Sequence, residues 1–171
     1  MWRGLAIGLV LAGVVAGCGG SGSGGSSEGT TGGDGPRLSK RGYERAVAQI
    51  VESREVREAD LLFYRLAAGD VTPERCTVKT RQFVRDVGNG IDAVAKLRPP
   101  AEVAGLQARF LIAARGTETK LRRLVRDVAA RKVRCGPEWN HRAYGLPSTN
   151  RAVAILAEYA RRGYRLEING E

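Results

Sequence analysis

Two runs of apolar side chains at helical spacing, separated by a double proline, limit the fold of this chain more than any other feature. Phe83, Val87, Ile91, Val94 and Leu97 recur at intervals of three and four, which lines them along one face of a helix that another element must cover. Val103, Leu106, Phe110, Ala114, Leu121, Leu124 and Val128 do the same on a helix expected from about Pro100 to Val133. Arg109, Arg122, Arg123, Arg126 and Arg131 lie largely off that face. Pro99-Pro100 ends the first helix and starts the second, since proline cannot continue a helix but fits its first turn. So short a connection favours an antiparallel pair.

The flanking sequence is helical as well. Thr72-Pro73-Glu74 opens the first of these two helices with an N-cap hydroxyl, a proline at N1 and an acid near the positive end. Gly88 and Gly90 weaken its middle by about 1 kcal/mol each relative to alanine. An earlier helix is expected over Leu38 to Ala68, with Tyr43, Val47, Ile50, Leu61, Leu62 and Leu66 apolar and Gly69-Asp70 as its stop. Its middle, Glu52 to Glu58, is nearly all charged and either faces solvent or breaks. A last helix is expected over Thr149 to Arg162, before Tyr164, Leu166 and Ile168 alternate with polar residues as a short extended segment. Alternating strands with hairpin turns are absent. The expected fold is therefore all-α, an antiparallel four-helix bundle over residues 37–171.

The N-terminus bears on location. Arg3 precedes the uncharged run Leu5 to Ala16, the charged start and apolar core of a secretory signal. The run is short of the roughly 20 residues a spanning helix needs. Val15-Ala16-Gly17-Cys18 resembles the lipobox of bacterial lipoproteins. That resemblance implies residues 1–17 as a signal peptide, cleavage before Cys18, and lipidation of Cys18, with a diacylglycerol thioether and further acylation such as palmitate. The alternative is an ordinary signal cut after small residues such as Val14 and Ala16, with Cys18 incidental. Residues 18–36 then form a lipidated cysteine and a Gly/Ser tract that behaves as a flexible coil. Gly20, Gly22 and Gly25 match G-x-G-x-x-G only by chance, with no strand before them. The run Leu97 to Leu106 resembles that of uncharacterised helical lipoproteins of high-GC bacteria, a likeness that carries no active site. Together these place the chain on the extracytoplasmic face of the cell membrane, in the cell envelope.

Basic residues number 28 against 18 acids, a net charge of +10. Without Arg3 and the linker acids Glu28 and Asp34, Arg37 to Glu171 carries +11. Such a surface either simply solvates helix faces or attracts anionic lipid headgroups or anionic envelope polymers. The compartment argues against nucleic acid.

Three cysteines leave one unpaired in an exported chain. With Cys18 lipidated, Cys76 and Cys135 remain, near ends of the antiparallel pair that meet, and a disulfide between them is expected over two free thiols. At 1.5 Å per residue, however, the second helix outruns the first by roughly 15 to 20 Å. For the bridge to form it must end early or bend, for instance at Gly116. Glu138 and His141 form one E-x-x-H, but a di-iron bundle needs two copies, and no metal or cofactor is expected. Trp139, His141 and Tyr144 either form a rim for a ligand or partner or plug the bundle end. No P-loop, H-E-x-x-H, G-x-S-x-G or C-x-x-C is present, and catalytic residues are not expected. The sequence thus points to a non-catalytic envelope interaction or accessory module anchored by lipid, the alternative being a small-ligand-binding helical bundle at the membrane surface.

Overall fold

The computed structural model describes residues 36–144 and 146–166. The signal, Cys18, the linker up to Gly35 and the tail beyond Leu166 lie outside the described residues. The described chain is all-α. It holds α1 (Lys40–Val51), α2 (Arg54–Ala68), α3 (Pro73–Ala95), a 3-10 turn (Ala101–Val103), α4 (Ala104–Ala129), α5 (Pro137–Tyr144) and α6 (Pro147–Arg161). The periodicity predicts four helices, and the described residues form six.

One extra helix comes from a break at Ser53, whose extended backbone ends α1 and whose Oγ accepts the Val56 N–H at 3.4 Å as the cap of α2. The charged run is thus a helix boundary. The break resets the helical phase, so Val56, Ala59, Leu62, Phe63 and Leu66 turn inward while Leu61, expected in the stripe, is 64% exposed. The other extra helix, α5, forms in a stretch that reads as a loop.

Neighbouring helices pack in chain order, α2 on α3, α3 on α4 and α4 on α6, with α1 against α2 and α3 and α5 against α2 and α4. Both central stripes are buried as expected, from Phe83 to Val94 and from Val103 to Val128. Polar seams fix the register. Gln107 Nε2 donates to the Val94 and Leu97 carbonyls at 3.2 and 3.0 Å, satisfying the end of α3. Thr117 Oγ1 donates to Ser148 Oγ at 2.9 Å, pinning the start of α6 to the middle of α4. Thr72 takes the N-cap position of α3 with Pro73 behind it, but its side chain makes no capping bond.

Cys76 and Cys135 form a disulfide with their Cα atoms 5.9 Å apart. The length mismatch falls to about 5 Å because α4, with 26 residues against 23 in α3, starts four residues later than expected and stops four earlier; it runs through Gly116 as one helix. Arg131, at φ 57°, reverses the chain. The Lys132 N–H bonds the Asp127 carbonyl at 2.8 Å and the Arg131 N–H the Val128 carbonyl at 3.0 Å, a Schellman closure without glycine. Two glycines then let backbones touch. Gly69, at φ 81°, ends α2, and the Gly136 N–H donates to the Leu66 carbonyl at 2.7 Å; a Cβ on Gly69 would lie 3.5 Å from the Gly136 Cα.

The opposite pole gathers both ends of the described chain. The Leu38 N–H bonds the Arg98 carbonyl at 2.9 Å, and Tyr164 Oη donates to Glu102 at 2.6 Å. Tyr43 Oη and Tyr159 Oη lie 3.1 Å apart, with Tyr164 edge-on to both rings. Tyr164 and Leu166 are buried on the helices, as the alternation beyond α6 predicts.

Candidate functional site

Of the aromatic and histidine residues at 139–144, the structure takes one into the core. Trp139 is 0% exposed, its rings against Phe63 and Phe83 at 5.5 Å. Its indole N–H donates to Thr80 Oγ1 at 3.1 Å, which in turn donates to the Cys76 carbonyl at 2.8 Å. An indole so enclosed plugs the fold and offers no surface. His141 is exposed and Tyr144 is 46% exposed. Glu138 Oε2 accepts the Arg134 N–H at 3.3 Å. Among the described residues no group of three or more His, Cys, Asp or Glu is placed to hold a metal ion. Cys18, the expected lipidation site, lies outside the described residues.

The chemically distinctive surface is a groove of about 450 Å³ between α3 and α4, with Val84, Gly88 and Val125 along it. Gly88 brings α3 close to Glu118 there, since a Cβ would stand 3.1 Å from Glu118 Oε1, a tight contact that the carboxylate would have to yield to. Glu118 is 5% exposed and takes three charge-assisted hydrogen bonds. Arg115 Nη1 donates to one of its oxygens at 2.8 Å, and Arg122 Nε and Nη2 donate to the other at 3.1 and 2.6 Å. Arg115 also ion-pairs with Asp92 across the groove, closing that end. Burial pushes the Glu118 carboxyl up, but the hydrogen bonds and charges of Arg115 and Arg122 outweigh it and leave the group below its ordinary value.

Arg81 and Arg85 line the groove from α3, Arg122 and Arg126 from α4. The contacts of Asp92 with Arg115 and of Gly88 with Glu118 set an antiparallel register that places Arg85 opposite Arg122 and Arg81 opposite Arg126. Arg85 Nε donates to Asp86 Oδ1 at 3.5 Å, an ion pair within α3. Arg81 and Arg126 have no ion-pair partner among the described residues. The site is absent from the sequence expectations. Its signals were two arginine pairs at i,i+4 and a glycine inside an amphipathic helix, and neither reveals which residues face each other across two helices. A second cleft, of about 520 Å³, lies where Ala46 and Ile50 of α1 meet Gly90, Ala93 and Leu97 of α3 and its end. No described helix is long and apolar enough to cross a membrane.

The Glu118 cluster makes a pH-dependent prediction. A carboxyl whose folded pKa is depressed contributes stability that is complete above its unfolded value and is lost as the pH falls through the folded one. Glu118→Gln is therefore expected to cost about 2 kcal/mol at pH 7, and the gap to wild type should shrink toward pH 2 to 3. Urea melts of both proteins at the two pH values measure this; a constant gap would show that the ion pairs contribute nothing.

Comparison of the chain with protein-family models, curated proteins and solved structures finds no match.

Proposed function

We propose that the chain is a lipoprotein, lipidated on Cys18 after loss of residues 1–17, whose helical domain works by contact at the extracytoplasmic face of the membrane. In this reading α2, α3, α4 and α6 are the walls of a four-helix bundle, with α1 and α5 as end pieces. Its partners are anionic headgroups or envelope polymers, and it is not an enzyme. The observation that supports the reading is the pair of arginine tiers facing each other across one groove, on a domain that carries +11 behind a lipobox. Charge gathered on one face raises the local concentration of counter-charged partners.

Cys18→Ala tests the anchor. Fractionation should find the variant in the soluble or secreted fraction and the wild type in membranes, and intact mass should show acyl chains on a mature chain starting at Cys18. Membrane retention of an unacylated variant would overturn the lipidation. The contact itself should weaken with salt, because exposed charges are screened over about 8 Å at physiological ionic strength.

A further inference from the structure

We propose that the groove between α3 and α4 is a binding site for a phosphate-bearing anion with two or more negative charges. This deepens the reading of an anionic partner and rests on it for biological context, while the site itself is independent of the anchor.

Arg81 and Arg85 are one turn apart on α3, as are Arg122 and Arg126 on α4, so the tiers are spaced by about 6 Å along the groove. Like charges at i,i+4 repel, and here two such pairs face each other. The nearby acids relieve only part of this: Asp86 pairs with Arg85 at 3.5 Å and Glu118 with Arg122 at 2.6 Å, while Arg81 and Arg126 have no ion-pair partner among the described residues. Glu118 is bonded by Arg115 and Arg122, and Asp92 is paired with Arg115. The Asp92–Arg115 bridge stops the groove at one end, so the cationic stretch is bounded.

Glu118 also prepares the site. By holding Nε and Nη2 of Arg122 it fixes the guanidinium plane and leaves Nη1 uncommitted. Arg81, Arg85 and Arg126 offer planar forks, which match phosphate oxygens two at a time. A single carboxylate meets one tier, whereas a group with two or more charges meets both. Gly88 lines the groove without a side chain of its own, beside Glu118.

The test uses the full chain in micelles of a neutral detergent, titrated calorimetrically with inorganic pyrophosphate at low and high salt. The variants are Arg81→Gln/Arg126→Gln, both exposed, and a control of equal charge, Arg142→Gln/Arg151→Gln, outside the groove. The expected result is saturable one-to-one binding, weakened about tenfold or more in the groove variant and nearly unchanged in the control. No saturable binding, or equal weakening in both variants, would overturn the site and leave the lipid anchor standing. Repeating the titration in phosphatidylcholine nanodiscs with and without phosphatidic acid separates the sources. A pyrophosphate Kd raised by phosphatidic acid identifies a lipid headgroup as the ligand, and an unchanged Kd identifies phosphate on a water-soluble carrier.

Discussion

Trp139→Ala is expected to destabilise the domain by about 4 kcal/mol, the range found when a large buried aromatic is truncated. The indole is fully enclosed and joins three parts of the chain that are distant in sequence, Phe63 on α2, Phe83 on α3 and the short helix α5 that carries it. Without it α5 keeps only Ala143 as a buried side chain, and an eight-residue helix does not persist without tertiary packing. Trp139→Phe should cost about 2 kcal/mol, because the smaller ring fills less space and Thr80 loses the donor to its hydroxyl. Chemical denaturation followed by far-UV circular dichroism measures both. A loss below about 1 kcal/mol for Trp139→Ala would mean that α5 does not depend on its indole.

Cys76→Ser/Cys135→Ser is expected to cost about as much by a different route. The bridge spans a sequence separation of 59, and restricting a loop of that size in the unfolded chain is worth about 4 kcal/mol in the chain-entropy model. For a domain of this size that corresponds to a fall in Tm on the order of 15 °C. Thermal melts with and without reductant should show the same drop in wild type, with the double variant insensitive to reductant. An equal melting temperature in all four samples would remove the disulfide from the stability of the fold. Trp139 sits beside the bridge through Thr80 and the Cys76 carbonyl, so the two changes should not be additive when combined.

The central antiparallel pair was legible in the sequence because each helix carries four or more turns of apolar residues at one spacing, and Pro73 and Pro99-Pro100 mark its ends. The disulfide was legible from that pairing. Its geometry was not, because the early stop of α4 depends on Arg131 taking a left-handed conformation that non-glycine residues seldom adopt. Ser53 is ambiguous for another reason, since a serine amid charged residues suits both a solvated turn and a cap. Helix α5 is too short for periodicity to register, with Trp139 and Ala143 as its only buried positions. Gly88 reads as a weakness along one helix; only the opposing Glu118 shows that a side chain there would crowd a carboxylate held by two arginines. The arginine groove belongs to the same class of property, set by register between two helices and not by spacing within either.

The position of the disulfide also determines how the domain answers to a pull. Tension applied between Pro36 and Leu166 travels along the covalent chain, and at Cys76 it crosses to Cys135 over a Cα separation of 5.9 Å instead of through the residues between them. Helix α4 and α3 beyond its first turn lie on the bypassed segment. Stretching can peel away α1, α2, α5 and α6, but it does not draw out the pair of helices that forms the groove. Pulled by its two ends, the domain would keep its arginines in register under load.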